Sequence, residues 1–209
     1  MQLKLSVLTI SLVLLGATGY AFSKNTSSNT VAQPNHVKLS PHAERIGNLE
    51  VRRSMMECIY APDNIEKLIA KSDIIAIGEP ATSVTESKTL IQRYSNGSVI
   101  GAISEVEFKV SKVFKGDFNA KSIKVGQQAA VMTDKRNRKF IQVLEGYQPM
   151  EKNKKYLLFI RKGLSGNLYF PNGVMYGKHN TDGTDKEEAK SIDVKVNAIR
   201  KLALERFKE

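Results

Sequence analysis

The stretch AISEVEFKV at residues 102–110 sets Ala102, Ser104, Val106, Phe108 and Val110 against Ile103, Glu105, Glu107 and Lys109. A period of two, with one apolar and one charged face, marks a half-buried β-strand. At Val113 and Phe114 the alternation changes phase, as it does at a β-bulge, and Lys115-Gly116-Asp117 then turns the chain. Further along, residues 155–161 (KYLLFIR) hold an unbroken apolar run from Tyr156 to Ile160, the pattern of a central strand covered on both faces. Residues 73–79 (DIIAIGE) read as a second buried strand, closed by Pro80. Shorter strands are expected at 122–125, 128–132, 140–144, 167–170 and 174–178. Turns are expected at Asn96-Gly97, 163–166 and Asn172-Gly173, and residues 81–97 read as a polar connection.

Helices flank this β-rich body. Residues 62–71 (PDNIEKLIAK) place Pro62 and two acids early and two lysines late, the start and stop chemistry of a short helix. Residues 185–208 repeat Ile192, Val196, Ile199, Leu202 and Ala203 at helical spacing behind Asp185, Glu187 and Glu188, which predicts a C-terminal amphipathic helix. The Ile192-Asp193-Val194-Lys195-Val196 stretch also alternates like a strand. Residues 41–60 read as a short helix or strand with Ile46, Leu49, Val51, Met55 and Ile59 toward the core. The fold class is mainly β, α+β overall.

At the N-terminus, Lys4 precedes a run from Leu5 to Phe22 that is 18 residues long without a charge, ending in small residues at Gly16, Ala17, Gly19 and Ala21. That order matches a secretory signal peptide cleaved after Gly19 or Ala21, and the length also matches a retained membrane anchor. Residues 23–40 have the Ser, Asn and Thr content of a flexible tether. The expected organisation is a leader or anchor at 1–22, the tether at 23–40, a β domain at 41–180 and the helix at 181–209. Either reading of the leader places the domain outside the cytoplasm, secreted or anchored.

The chain has 209 residues, 41% hydrophobic and 25% charged, ordinary globular values. Its 32 Lys and Arg against 21 Asp and Glu give a formal charge of +11, which attracts polyanions. The single cysteine, Cys58, cannot form an intramolecular disulfide and sits among apolar neighbours as a small hydrophobe.

Motifs for chemistry are missing. His36 and His42 have no ligand partners at metal-binding spacing, and the sequence holds no HExxH, CxxC, GxGxxG or GxxxxGK[ST] pattern. Ser165, His179 and Asp182 could be imagined as a hydrolytic triad, but Ser165 lacks a GxSxG elbow. Residues 180–185 (NTDGTD) carry calcium-like oxygens misplaced for an EF-hand loop, and Glu105 with Glu107 reads as a solvated strand face shared with Lys109. No cofactor is called for. The remaining candidate is a basic cluster, Lys135, Arg136, Arg138 and Lys139 with Lys152, Lys154, Lys155 and the Arg161-Lys162 pair, suited to contact with anions.

The order of helix, residues 72–78 (SDIIAIG), residues 106–117 (VEFKVSKVFKGD), residues 154–160 (KKYLLFI) and a late aromatic-glycine strand resembles small exported bacterial proteins of unassigned function. Their barrels are similar to the OB-like barrels of netrin-like and metalloproteinase-inhibitor-like domains. The resemblance spans residues 64–178 and implies a small OB-like or closed antiparallel β-barrel with flanking helices. Those inhibitors carry an N-terminal cysteine and disulfides, and this chain has neither. The first functional expectation is a non-enzymatic extracytoplasmic binding module of the cell envelope. Its basic loops would meet an anionic polymer, a lipid headgroup or an acidic partner, with no nucleic acid expected and membrane attachment if the leader is uncleaved. The alternative is a secreted enzyme or enzyme inhibitor without a recognisable motif. A single-stranded nucleic-acid barrel, with Phe140, Tyr156 and Tyr169 as stacking surfaces, would require the leader to be misread.

Overall fold

The computed structural model describes residues 44–55, 60–164, 167–191 and 193–208. The leader, the tether, His36, His42, Cys58, Ile59, Ser165 and Ile192 lie outside the described residues. Among those described, no helix is long and apolar enough to cross a membrane.

Two short strands, β1 (Arg45–Ile46) and β2 (Leu49–Ser54), precede helix α1 (Ile65–Ala70), where Asn64 caps the Lys67 amide at 2.9 Å. Then come β3 (Ile74–Pro80), β4 (Lys88–Arg93), β5 (Val99–Lys115), β6 (Ser122–Gln127), β7 (Ala129–Thr133), β8 (Lys139–Leu144), β9 (Tyr156–Lys162) and β10 (Leu168–Pro171). A 3-10 turn (Val174–Gly177) leads to β11 (Lys178–Asn180), and two helices, α2 (Lys186–Ala189) and α3 (Val194–Arg206), end the chain.

Five strands close into a barrel, β3 beside β5, β5 beside β6, β6 beside β10, β10 beside β9 and β9 back beside β3. All pairs are antiparallel except β6 with β10. Numbered along the chain, these strands run 1-2-3-5-4-1 with strands 3 and 5 parallel, the topology of an OB-like barrel. A second sheet of order β1-β2-β8-β7 joins the N-terminal strands β1 and β2 to β7 and β8, which lie between β6 and β9 in the chain, with β2 and β8 parallel.

Alternation explains why the apolar run of β9 is continuous. Tyr156, Leu158 and Ile160 face the barrel interior with Val106, Phe108 and Val125, while Leu157 and Phe159 face outward onto a layer built from α1 and α3. Ile75 and Ile77 of β3 share that outer layer with Leu68, Val196, Ile199 and Ala203. A third cluster, around Ile141, Val143 and Tyr147, fills the second sheet. In β5, Phe114 and Ser111 are extra residues in the register against β3, so the phase change read from the sequence is a pair of bulges within one 17-residue strand.

Four expectations need correction. Residues 88–93, read as part of a polar connection, form β4, held by the register of β5. Met55 does not reach the core and is 93% exposed, although Ile46, Leu49 and Val51 do pack inward. Residues 174–177 form the 3-10 turn because Gly173 and Val174 both take left-handed backbone (φ 70° and 59°), and only Lys178–Asn180 is strand. The C-terminal segment is two helices, since the Asp193 side chain accepts the Val196 amide and starts α3 anew.

Strand β3 passes so close to β5 that a Cβ on Gly78 would stand 2.1 Å from the Lys109 carbonyl oxygen. Gly78→Ala is expected to destabilise the protein by about 3 kcal/mol or prevent folding. Gly101→Ala, where nothing lies within 4 Å of the new methyl, should stay within about 0.5 kcal/mol of the parent; urea unfolding of the two variants checks the pair.

Candidate functional site

The β7–β8 connection and the first residue of β8 gather four of the nine candidate cations around one turn. Asp134 organises it: its Oδ1 accepts the amides of Arg136 (2.9 Å) and Arg138 (3.0 Å), and its own amide donates to the Arg138 carbonyl. Asn137 supplies the left-handed residue (φ 59°) that lets the chain reverse. The Asp134 Oδ2 accepts Arg138 Nε at 3.0 Å and lies 3.5 Å from an Arg52 guanidinium nitrogen. The Arg138 amide, then the Arg138 side chain and the Arg136 amide, hold the Asp134 carboxyl down at about 2, against a smaller opposing effect of burial. Arg138 is therefore half neutralised, while Lys135, Arg136 and Lys139 are exposed and form no ion pair among the described residues.

Sequence reasoning missed two members of this surface. Asp134 is a turn-starting residue whose position before Lys135-Arg136-Asn137 was the available signal. Arg52, on β2, lies over the Phe140 ring at 4.1 Å while its guanidinium pairs with Glu50 at 3.1 Å. Its placement beside the turn depends on the parallel β2–β8 ladder, which no local pattern announces.

The other five are not gathered there, and Lys152, Lys154 and Lys155 belong to the loop that enters β9. Lys152 is 3.4 Å from Glu86, and Lys154 pairs with Glu151 at 2.7 Å and donates to the Thr184 carbonyl. The Lys155 amide donates to Asp182 Oδ2 and its carbonyl accepts from Asn180 Nδ2. Arg161 and Lys162 are exposed at the end of β9. The loop lysines thus stand among carboxylates and chain-linking hydrogen bonds, and the β7–β8 turn is the less compensated half of the cluster.

A buried polar junction was not foreseen. Lys178 is 2% exposed, pairs with Glu188 of α2, and stands over the rings of Tyr156 (4.9 Å) and Tyr147 (5.6 Å). Glu188 Oε1 accepts the Asn180 amide at 2.7 Å and lies 3.5 Å from Arg200 Nε, while Arg200 Nη2 donates to the Glu188 carbonyl. Tyr156 donates its phenol to Asp185 Oδ2 at 2.9 Å, and Asp185 Oδ1 caps the Glu188 amide. Burial, reinforced by the nearby Asp185 and Glu188 carboxylates, pushes both phenols well above the ordinary tyrosine range. The ion pair, the Tyr156 phenol and the capping carboxylate are occupied with one another, while the buried Tyr147 hydroxyl and Arg200 Nε have no hydrogen-bond partner among the described residues, so the junction reads as a clamp fastening β11, α2 and α3 to the barrel. Lys178, Glu188 and Arg200 line a cleft of about 280 Å³, and Asp185 lines a neighbouring groove of about 710 Å³.

Strand alternation sends His179 the other way, into the core against Phe159, ring centroids 5.9 Å apart. Neither ring nitrogen meets a carboxylate, and Asp182 is taken by Thr184, Lys155 and Asn180. Burial, with the Arg200 and Lys178 cations beside it, holds the imidazole down at about 3, opposed by a weaker pull from the Tyr176 backbone. On the outer face of β5 and β6, where OB barrels commonly carry ligands, Glu105 pairs with Lys124 at 2.8 Å and Glu107 lies opposite Lys124 in the ladder. Among the described residues, no three His, Cys, Asp or Glu side chains come together as a metal site.

No family model, curated protein or solved structure matches the chain.

Removing one partner of the buried pair strands the other: Lys178→Met is expected to cost about 3–5 kcal/mol. The double variant Lys178→Met/Glu188→Leu should lose clearly less than the sum of the singles; chemical denaturation of the cycle reads this. His179 gives a pH signature. Its folded value lies below the unfolded one, so on acidification the unfolded chain takes the proton first and stability falls as pH drops below about 6.5 toward 3. Between pH 7 and 5 this group alone should remove about 2 kcal/mol, and thermal melts of His179→Leu should show that loss abolished.

Proposed function

We propose that this chain is a non-enzymatic, extracytoplasmic binding module of the cell envelope that holds an anionic polymer on its β7–β8 turn. The supporting observation is the turn itself. Lys135, Arg136 and Lys139 project from a backbone locked by Asp134 and Asn137, exposed and without ion pairs among the described residues. Cations on a preformed turn lose little conformational freedom on binding, and a polyanion gains from several at once. The excess of positive charge over the whole chain adds a long-range attraction of the same sign. The apolar leader pattern supports the location, since it is the order of residues that export requires. Lipid headgroups and acidic proteins offer the same charge; a regularly spaced polymer best suits several fixed cations on one turn.

Co-sedimentation with anionic wall fragments at low and physiological salt tests this reading. Binding should be strong at low salt, weaken as salt rises, and fall roughly 10- to 100-fold in the triple variant Lys135→Ser/Arg136→Ser/Lys139→Ser. Binding that ignores both salt and the triple substitution, or no binding at all, contradicts it.

A further inference from the structure

The first third of β5 runs out of the barrel as a two-stranded ribbon with β4. Residues 99–103 pair with β4, while pairing with β6 begins at Ser104. Of the eight exposed large apolar side chains among the described residues, four stand on this ribbon: Ile91, Tyr94, Val99 and Ile100, each between 39% and 59% exposed. A two-stranded ribbon in water is marginal by itself and does not ordinarily display such a concentration of apolar surface.

Their disposition decides what could cover them. Residues directly opposite in a ladder share a face, so the pairs Ile91 with Ala102 and Arg93 with Val99 place Ile91 and Val99 on one side. Alternation carries Tyr94 to the other side, and Ile100 is the extra residue where the register shifts between Gln92 and Arg93. Ile100, two positions from Ala102, returns to the Ile91 side, so exposed apolar side chains stand on both faces of the ribbon, three on one and Tyr94 on the other. A flat protein partner covers one face; a bilayer interface surrounds a wedge on both.

Charge and hydrogen bonding agree with that environment. From Ser87 to Ser104 the ribbon carries Lys88 and Arg93 and no carboxylate, so it is complementary to anionic headgroups. The turn at its tip is uncharged and satisfies part of its own backbone. Tyr94 N donates to Ser98 O (2.8 Å), Gly97 N to Tyr94 O (2.9 Å), Ser98 N to Asn96 Oδ1 (3.0 Å) and Arg93 Nη1 to Gly97 O (2.9 Å). Pairing these groups internally lowers the cost of taking the tip out of water. Tyr94 is the residue type that settles at the boundary between headgroups and acyl chains.

We propose that the β4–β5 ribbon enters the interfacial layer of an anionic bilayer, with Tyr94, Val99, Ile91 and Ile100 below the headgroups and Arg93 and Lys88 among them. This surface is separate from the β7–β8 turn. Ile100 and Ala102 share a shallow pocket with Gln128 and Leu144, at the end of the β7–β8 ladder away from residues 134–138.

The chain contains no tryptophan, so Tyr94→Trp in the full chain is a single local reporter that capture by any other segment does not move. With vesicles of equimolar phosphatidylglycerol and phosphatidylcholine, its emission should shift to the blue and be quenched by brominated acyl chains. Phosphatidylcholine alone should give at least about tenfold weaker partition, and so should anionic vesicles when Ile91→Ser/Ile100→Ser is added. The triple Lys135/Arg136/Lys139 variant should retain the blue shift, which separates this proposal from the reading of the basic turn. Emission that stays at the water-exposed position on vesicle-bound protein overturns it. A blue shift that follows protein concentration without lipid would overturn it in favour of a second copy of the chain.

Discussion

The structure depends on β10, four residues that are hydrogen-bonded along both edges. On one side it meets β9 antiparallel, on the other β6 parallel, and among the described residues no other strand pairing closes the circle. What seats it is a ring over two glycines. A Cβ on Gly126 would lie 2.4 Å from the Phe170 ring and one on Gly163 would lie 2.8 Å away, so Phe170 occupies space that any larger residue would take. Beyond the strand, the Asn172 amide donates to the Phe159 carbonyl and its side chain to Ser72 Oγ, which in turn donates to the Leu68 carbonyl at the end of α1. Closure is thereby tied to the helical layer outside the barrel.

Closing the barrel determines where function can sit. The interior is filled by apolar side chains, and β3 and β9 are covered outside by α1 and α3. At the base of β11, Lys178, Glu188, Asp185 and the Tyr156 phenol are spent on each other in a clamp. What remains open is the exterior, and its two least compensated features differ in kind. The β7–β8 turn is rigid and cationic; the β4–β5 ribbon is apolar on both faces. As proposed above, the ribbon would hold the module against a surface while the turn met a polymer, with no moving part needed.

The strands with strong local patterns were legible from sequence: β3, β5 with its bulges, and β9 all follow from periodicity. β4 was not, because Lys-Thr-Leu-Ile-Gln-Arg has no buried face of its own until β5 supplies the register. Val174–Gly177 looks like strand by composition, and only two successive left-handed residues turn it into a 3-10 segment. The basic turn was readable as charge, and Asp134 and Glu151 stand within four residues of the Arg138 and Lys154 that they compensate, but Glu86 reaches Lys152 only through the fold. The Lys178–Glu188 pair joins residues of a strand and a helix that meet only after β11 has docked on β9; spacing along the chain carries no signal for it.

Hydrogen exchange read by mass spectrometry on the free, full-length protein reaches the closure most directly. If β10 completes the barrel, the amides of Leu168, Tyr169 and Phe170 exchange on the slow timescale of β3 and β9, while residues 94–98 and 134–138 exchange fast. Rapid exchange at Leu168, Tyr169 and Phe170, with β3, β5 and β9 still protected, would show an open sheet and contradict the architecture on which both exterior surfaces are placed.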